Sequence, residues 1–184
     1  MNIVWKRLPD TQETKVSWRT VVTKHFEMPN GATEEYGTLH PEGTKFVALI
    51  GLTPDKKVVI ARQFRPGPEC IMHEIPGGAM EPQDVDPQAA AVREFEEETG
   101  YSPARIEAFE PLHLDAYSNA ASYYFIGYDC TPTATRRNPD PHEFIEVAEI
   151  PISELIANAK SDRMTDVPAV LLAYDTLSEI QNGK

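Results

Sequence analysis

The sequence predicts an α/β protein in which a mixed β-sheet is clamped between helices. Three observations predict it: strand-like alternation and short apolar runs before residue 66, one sharply delimited helix at 86–99, and a terminal amphipathic helix over about 166–181 that follows further strand-like stretches.

Taken in order, residues 14–28 alternate as one strand, with Val16, Trp18, Thr20, Val22, Phe26 and Met28 on one side. Asn30-Gly31 is a hairpin turn signal, and the returning strand covers about 32–40. Strands follow at 44–51, nearly all apolar from Phe46 to Ile50, and at 57–65, with Thr53 to Lys56 as the turn between them. Beyond the helix at 86–99, strands are expected at 105–114, 121–129 and 143–150. Pro151 and Ser153 open a short helix. The last helix carries Val167, Val170, Leu171, Tyr174 and Leu177 at core spacing. There is no internal repeat and no low-complexity segment.

The helix at 86–99 carries the chemistry. Asp86 before Pro87 supplies an N-cap and then the one residue whose missing N–H costs nothing at the first helical position. Gly100 offers a left-handed stop. At roughly 100° per residue, Glu94, Glu97 and Glu98 fall in one arc beside the apolar arc of Ala91, Val92, Phe95 and Thr99. Arg93 lands next to Glu97. Such a stripe is either a solvated charged face or a divalent-metal site. Helix stability does not select it. Like charges at i,i+4, as in Glu94 and Glu98, cost roughly 0.2–0.5 kcal/mol, and Arg93 ahead of Glu97 is the less favourable order for a pair. A hard cation, which takes carboxylate, water and phosphate oxygens, would relieve the repulsion.

Composition bounds the partners. The chain has 184 residues and a net charge of −12, enough length for one domain with a full core and an appendage. The charge argues against a nucleic-acid surface, because the basic residues are scattered rather than clustered. An anionic substrate must then be met locally, by metal and a few arginines. Cys70 and Cys130 do not build a disulfide framework, which suits a reducing compartment. The start lacks the apolar core of a signal peptide and no apolar run reaches spanning length, so a cytoplasmic protein off the membrane is expected. The five histidines show no close ligand spacing, which speaks against zinc.

Arg93-Glu94-Phe95-Glu96-Glu97-Glu98-Thr99-Gly100-Tyr101 matches, at every specified position, the second half of the box of the Nudix hydrolases, which the chain resembles. The first half departs: Asp84, not Glu, follows Gly78 after five residues, and eight residues rather than seven separate Asp84 from Arg93. The added residue falls in the loop before the helix cap, where insertions are tolerated. The resemblance spans about residues 42–182 and implies an α/β/α sandwich. Residues 1–41 would be an extra β-rich segment and 42–184 the hydrolase domain. It also implies Mg²⁺, with Mn²⁺ able to substitute, held by Glu94 and Glu98, with Glu97 sharing metal or supporting duty and the Gly77 carbonyl contributing.

Two further matches resemble the ADP-ribose-hydrolysing branch. Arg62-Gln63-Phe64-Arg65 leading to Glu74-Ile75-Pro76-Gly77-Gly78 implies that Arg65, with Glu74, belongs to the substrate-binding set. Arg65 can offer a forked donor set to a diphosphate or form a structural ion pair with Glu74. Asp140-Pro141-His142-Glu143-Phe144-Ile145-Glu146 resembles an acidic segment from which relatives draw a general base. Glu143 comes first, Glu146 second and Asp140 behind. The branch implies a homodimer through the N-terminal segment, and hydrolysis of ADP-ribose to AMP and ribose 5-phosphate. One departure widens the substrate range: Asp115 to Asn119 contains no proline where sugar-nucleotide enzymes carry a Ser-Pro-Gly-like segment, and Tyr117 there can stack on a base or simply pack. GDP-mannose, a dinucleoside polyphosphate or a damaged nucleotide remain alternative substrates. A non-catalytic nucleotide-binding domain is the other alternative, although its signature, loss of box carboxylates, is absent.

Overall fold

The structure is a computed structural model and describes residues 2–113, 115–134 and 144–183. In chain order the strands begin with β1 (Lys6–Val16), β2 (Arg19–Glu27), β3 (Thr33–Leu39), β4 (Lys45–Leu52), β5 (Lys57–Arg65), β6 (Cys70–Glu74) and β7 (Gly77–Ala79). Helix α1 (Pro87–Thr99) follows, then β8 (Tyr101–Ser102), β9 (Arg105–Ala108), β10 (Leu112–His113), β11 (Ala121–Tyr128), β12 (Thr131–Pro132) and β13 (Glu146–Pro151). Helices α2 (Ile152–Ala159) and α3 (Val167–Gln181) complete the described chain. The fold is mixed α+β, a multi-strand mixed sheet with helices packed on it.

The residues group into two compact units, Met1–Lys45 with Leu112–Ser122, and Phe46–Pro111 with Tyr123–Lys184. The first is built on an antiparallel sheet of order β1-β2-β3. The single strand expected over 14–28 is corrected here: the chain turns at Ser17-Trp18, and Val16 pairs with Arg19 across a two-residue hairpin. Ser17 takes the left-handed conformation such a turn requires, φ 58°, without glycine or asparagine to announce it. The pairing of β1 shifts register between Arg7 and Thr11, around Pro9, which has no N–H to give to the ladder. The Asn30-Gly31 turn forms as expected, with Met28 N–H to the Ala32 carbonyl at 2.8 Å and the Asn30 side chain accepting from Ala32 N–H at 3.0 Å. Trp5, Phe26 and Tyr36 pack edge to face with centroids 5.4–6.5 Å apart. The segment around Ser118 lies along β3: Leu39 N–H donates to Tyr117 O at 2.7 Å, and Asn119 N–H returns to Leu39 O at 2.9 Å.

In the second unit the strand order is β11-β4-β5-β13, with β6 on β5, β7 on β4 and β9 on β11. Val59 packs with Ala90, Ala91 and Phe95 of α1. Strand alternation turns Val58 and Ile60 to the opposite face, where both are fully buried, so β5 is covered on its two sides. Helix α2 packs on β5, β13 and α3.

Helix α1 follows its sequence signals. Asp86 is extended and accepts from Ala89 N–H at 2.8 Å, and Gly100, at φ 75°, donates to the Glu96 carbonyl. The strand expected over 105–114 divides into β9 and β10, because Pro111 interrupts the ladder. On α3 the expected stripe is half right. Val170 and Leu177 are buried, but Leu171 is 73% exposed and Val167 and Tyr174 also face out; Ala169 and Ala173 complete the buried side. No helix among the described residues is long and apolar enough to cross a membrane.

Candidate active site

Strand β7 and helix α1 meet at two glycines. Gly77 pairs with Ala48 and Gly78 with Val47 of β4. A Cβ on Gly77 would stand 2.1 Å from the Val47 carbonyl oxygen, and one on Gly78 would stand 2.6 Å from a Glu94 carboxylate oxygen. Only glycine lets the backbone of β4 and the carboxylate of Glu94 come this near to β7. One turn on, Glu98 is 3% exposed and accepts the Gly77 N–H at 3.1 Å. Glu94 and Glu98, four residues apart, are therefore both held against β7. Glu97 is turned to the side, more exposed, and bound to Arg93 Nη1 at 2.9 Å.

Arg93 is the cation of this acidic patch. Its Nε and Nη2 bind the two Asp84 oxygens at 3.0 Å each, and Nη1 lies 3.0 Å from Glu94 and 2.9 Å from Glu97. The Arg93 hydrogen bond, reinforced by Glu81 N–H, holds the Asp84 carboxyl below its ordinary pKa. The same carboxylate keeps Arg93 protonated more firmly than usual. In the loop before α1, Val85 is 87% exposed, while the Asp84 side chain is 5% exposed against the arginine.

A second polar cluster lies where β5 and β6 meet the start of α3. Arg65 forks onto Glu74, Nε to Oε1 at 2.7 Å and Nη2 to Oε2 at 2.6 Å. Gln63 Nε2 donates to Glu74 at 3.1 Å and Thr165 Oγ1 at 3.3 Å. The ion pair is thus present, while the Arg65 side chain stays half-exposed and able to meet an anion. Asp166 Oδ2 accepts Ile75 N–H at 3.1 Å. Burial, and next the charge of Glu74, push its carboxyl up to about 6. Gln63, Thr165 and Asp166 were not singled out from sequence. Asp166-Val167-Pro168 has the pattern of an ordinary helix cap, yet its side chain makes no capping bond and is spent on Ile75.

Glu146 opens β13, pairs in register with Arg62, and is 72% exposed with an ion pair to Arg62 Nη1 at 3.0 Å. Glu143 and Asp140 lie outside the described residues. Tyr117, in the first unit, is exposed.

The donor set suits a hard cation. Glu94 and Glu98 are both held against β7, and Arg93 is shared by three acids, Asp84, Glu94 and Glu97. Among the described residues no group of three or more His, Cys, Asp or Glu side chains is placed so as to hold a metal ion.

Residues 44–171 match the NUDIX domain family. The chain is 27% identical over 155 residues to the ADP-ribose pyrophosphatase of Bacillus subtilis (strain 168), covering 83% of this chain and 82% of the relative. It is 29% identical over 160 residues to the methanol dehydrogenase activator of Bacillus methanolicus, covering 86% and 85%. A solved structure described as an ADP compounds hydrolase superposes with a TM-score of 0.78 over 95% of this chain and 96% of its own, at 19% identity, a likeness of fold.

Proposed function

This chain belongs to the NUDIX family and is a hydrolase, and we propose that it hydrolyses the diphosphate bond of a nucleoside diphosphate derivative, ADP-ribose first, with Mg²⁺ or Mn²⁺. Enzymes of this family generally use divalent metal ions. The observation that carries the reading is the packing of Glu94 and Glu98 on Gly77-Gly78. The fold holds both carboxylates, four residues apart on α1, against the same short strand, and an isolated helix gains nothing from such a like-charge pair.

Glu94, Glu98 and the Gly77 carbonyl would hold the metal, with Glu97 sharing that duty or steadied beside it by Arg93. When bound, a divalent ion offsets phosphate charge and acidifies water. Arg65 offers its outer edge to the diphosphate while Glu74, fixed by Gln63, keeps the guanidinium in plane. Glu143 or Glu146 takes a proton from the attacking water. The water oxygen bonds to phosphorus, the bridging P–O bond breaks, and AMP and ribose 5-phosphate leave. The N-terminal segment, 1–41, would join two copies in a homodimer, with residues 42–184 as the hydrolase domain; the exposed Ile3, Val4 and Trp18 support that use. The protein is assigned to the cytoplasm, off membranes and nucleic acids.

A second reading keeps the chemistry and changes the substrate. It is favoured by the missing proline in Asp115 to Asn119 and by a relative whose described role is activation of a dehydrogenase. A panel of ADP-ribose, GDP-mannose, NADH, a diadenosine polyphosphate and nucleoside triphosphates, assayed with Mg²⁺ through coupled phosphatase release, separates the two. Preference for ADP-ribose supports the first reading. Turnover of another member moves the substrate, and binding without turnover of any would favour a regulatory domain.

A further inference from the structure

The four residues Glu74 to Gly77 run from the end of β6 into the start of β7 and lead to Gly78, against which Glu94 rests. Their polar groups are tied from three directions. Glu74 is gripped by Arg65 and Gln63 of β5. The Pro76 carbonyl accepts Leu49 N–H of β4 at 3.0 Å, and Gly77 N–H donates to Glu98 of α1 at 3.1 Å. The remaining donor, Ile75 N–H, goes to Asp166 at 3.1 Å, from a part of the chain 91 positions away.

The residues before Asp166 follow the same line. His73 N–H donates to the Arg163 carbonyl at 2.8 Å, His73 bridges Met164 in parallel, and Thr165 Oγ1 reaches Glu74 at 3.3 Å. The connection between α2 and α3 therefore runs along β6 and ends on Ile75. An N–H at this depth costs free energy if its acceptor is lost, so the Asp166 contact constrains the path of Ile75-Pro76 and, one residue on, the direction of the Gly77 N–H that holds Glu98.

We infer that Asp166 is a positioning residue for the divalent-metal site, setting the course of Ile75 to Gly77 and through it the placement of Glu98 and of the Gly77 carbonyl. The inference rests on the reading of Glu94, Glu98 and Gly77 as metal-holding groups. Supporting groups behind metal ligands commonly change metal affinity by about 10- to 100-fold when removed.

The probe is Mn²⁺ alone, its free fraction counted by electron paramagnetic resonance, on the full chain and on Asp166→Ala and Asp166→Asn. Exchange of the Ile75 amide is followed in parallel by NMR. Asp166→Ala is expected to weaken Mn²⁺ binding about tenfold and to expose the Ile75 amide. Asp166→Asn, whose side-chain oxygen accepts the same N–H, should restore both. If Asp166→Ala does not fold, Asp166→Glu takes its place: it keeps the charge, displaces the acceptor by one methylene, and should bind Mn²⁺ more weakly than Asp166→Asn. Wild-type affinity in Asp166→Ala, or in Asp166→Glu where that replaces it, overturns the inference and leaves the metal reading intact, as does an Asp166→Asn no better than Asp166→Ala. Absence of Mn²⁺ binding by the wild-type protein overturns both.

Discussion

The two neighbouring glycines of β7 should respond to the same substitution in opposite ways. In Gly77→Ala the new Cβ meets backbone: 2.1 Å to the Val47 oxygen, 2.8 Å to Ala48 Cα and 3.0 Å to Ala48 Cβ, where ordinary contact begins at 3.4 Å. Relief needs more than an ångström of movement between β7 and β4, which share the pairs Phe46–Ala79, Val47–Gly78 and Ala48–Gly77. Overpacking of this kind costs about 1–3 kcal/mol, and a clash with backbone belongs at the upper end. In Gly78→Ala the Cβ meets the end of a flexible side chain, the Glu94 carboxylate at 2.6–2.9 Å. The carboxylate can rotate away, so stability should fall by less than about 1 kcal/mol, while a catalytic group misplaced by about 1 Å can cost on the order of 100-fold in rate. Urea unfolding and Mg²⁺-supported turnover, measured on both variants, separate the effects. The reasoning fails if Gly78→Ala keeps wild-type turnover, or if it unfolds as readily as Gly77→Ala.

Three more outcomes follow from the same geometry. Asp84→Ala removes both acceptors of Arg93 on that side and the acceptor of Glu81 N–H, and should destabilise by about 1–3 kcal/mol in urea unfolding; an unchanged midpoint would mean the loop ion pair is idle. Phe95→Ala empties a fully buried site between α1 and the sheet and should cost about 3–5 kcal/mol by the same measurement. The Asp166 carboxyl, raised to about 6 from 3.8 chiefly by burial, binds its proton more tightly in the folded than in the unfolded protein. Its contribution is therefore fully present below about pH 4 and lost as pH rises through about 6, and Asp166→Asn should remove that part of the decline in unfolding free energy between those values.

What could be read from the sequence was whatever short-range signals announce. Asp86-Pro87 and Gly100 delimit α1, Asn30-Gly31 turns the chain, and the apolar runs of β4 and β5 mark strands buried on both faces. The Ser17-Trp18 turn has no such residues, so two strands read as one. The short strands β6 and β7 exist because β5 and β4 offer them edges, which no local pattern of five or three residues reveals. At the site, the box acids were legible because their crowding makes no sense for a lone helix. Asp166 was not, since its task depends on a backbone N–H 91 residues away. Likewise, the spacing before Arg93 could not tell whether Asp84 reaches it; the structure pairs the two at 3.0 Å.

The central claim is that the acids packed on β7 serve hydrolysis of a diphosphate bond. Its most direct test is the formation of AMP and ribose 5-phosphate from ADP-ribose with Mg²⁺, quantified side by side for the wild-type protein and Glu98→Gln. The account predicts equimolar products from the wild type and loss of turnover by about 100-fold or more in the variant, as expected when a metal-holding group is removed. Near-normal turnover by Glu98→Gln would contradict it.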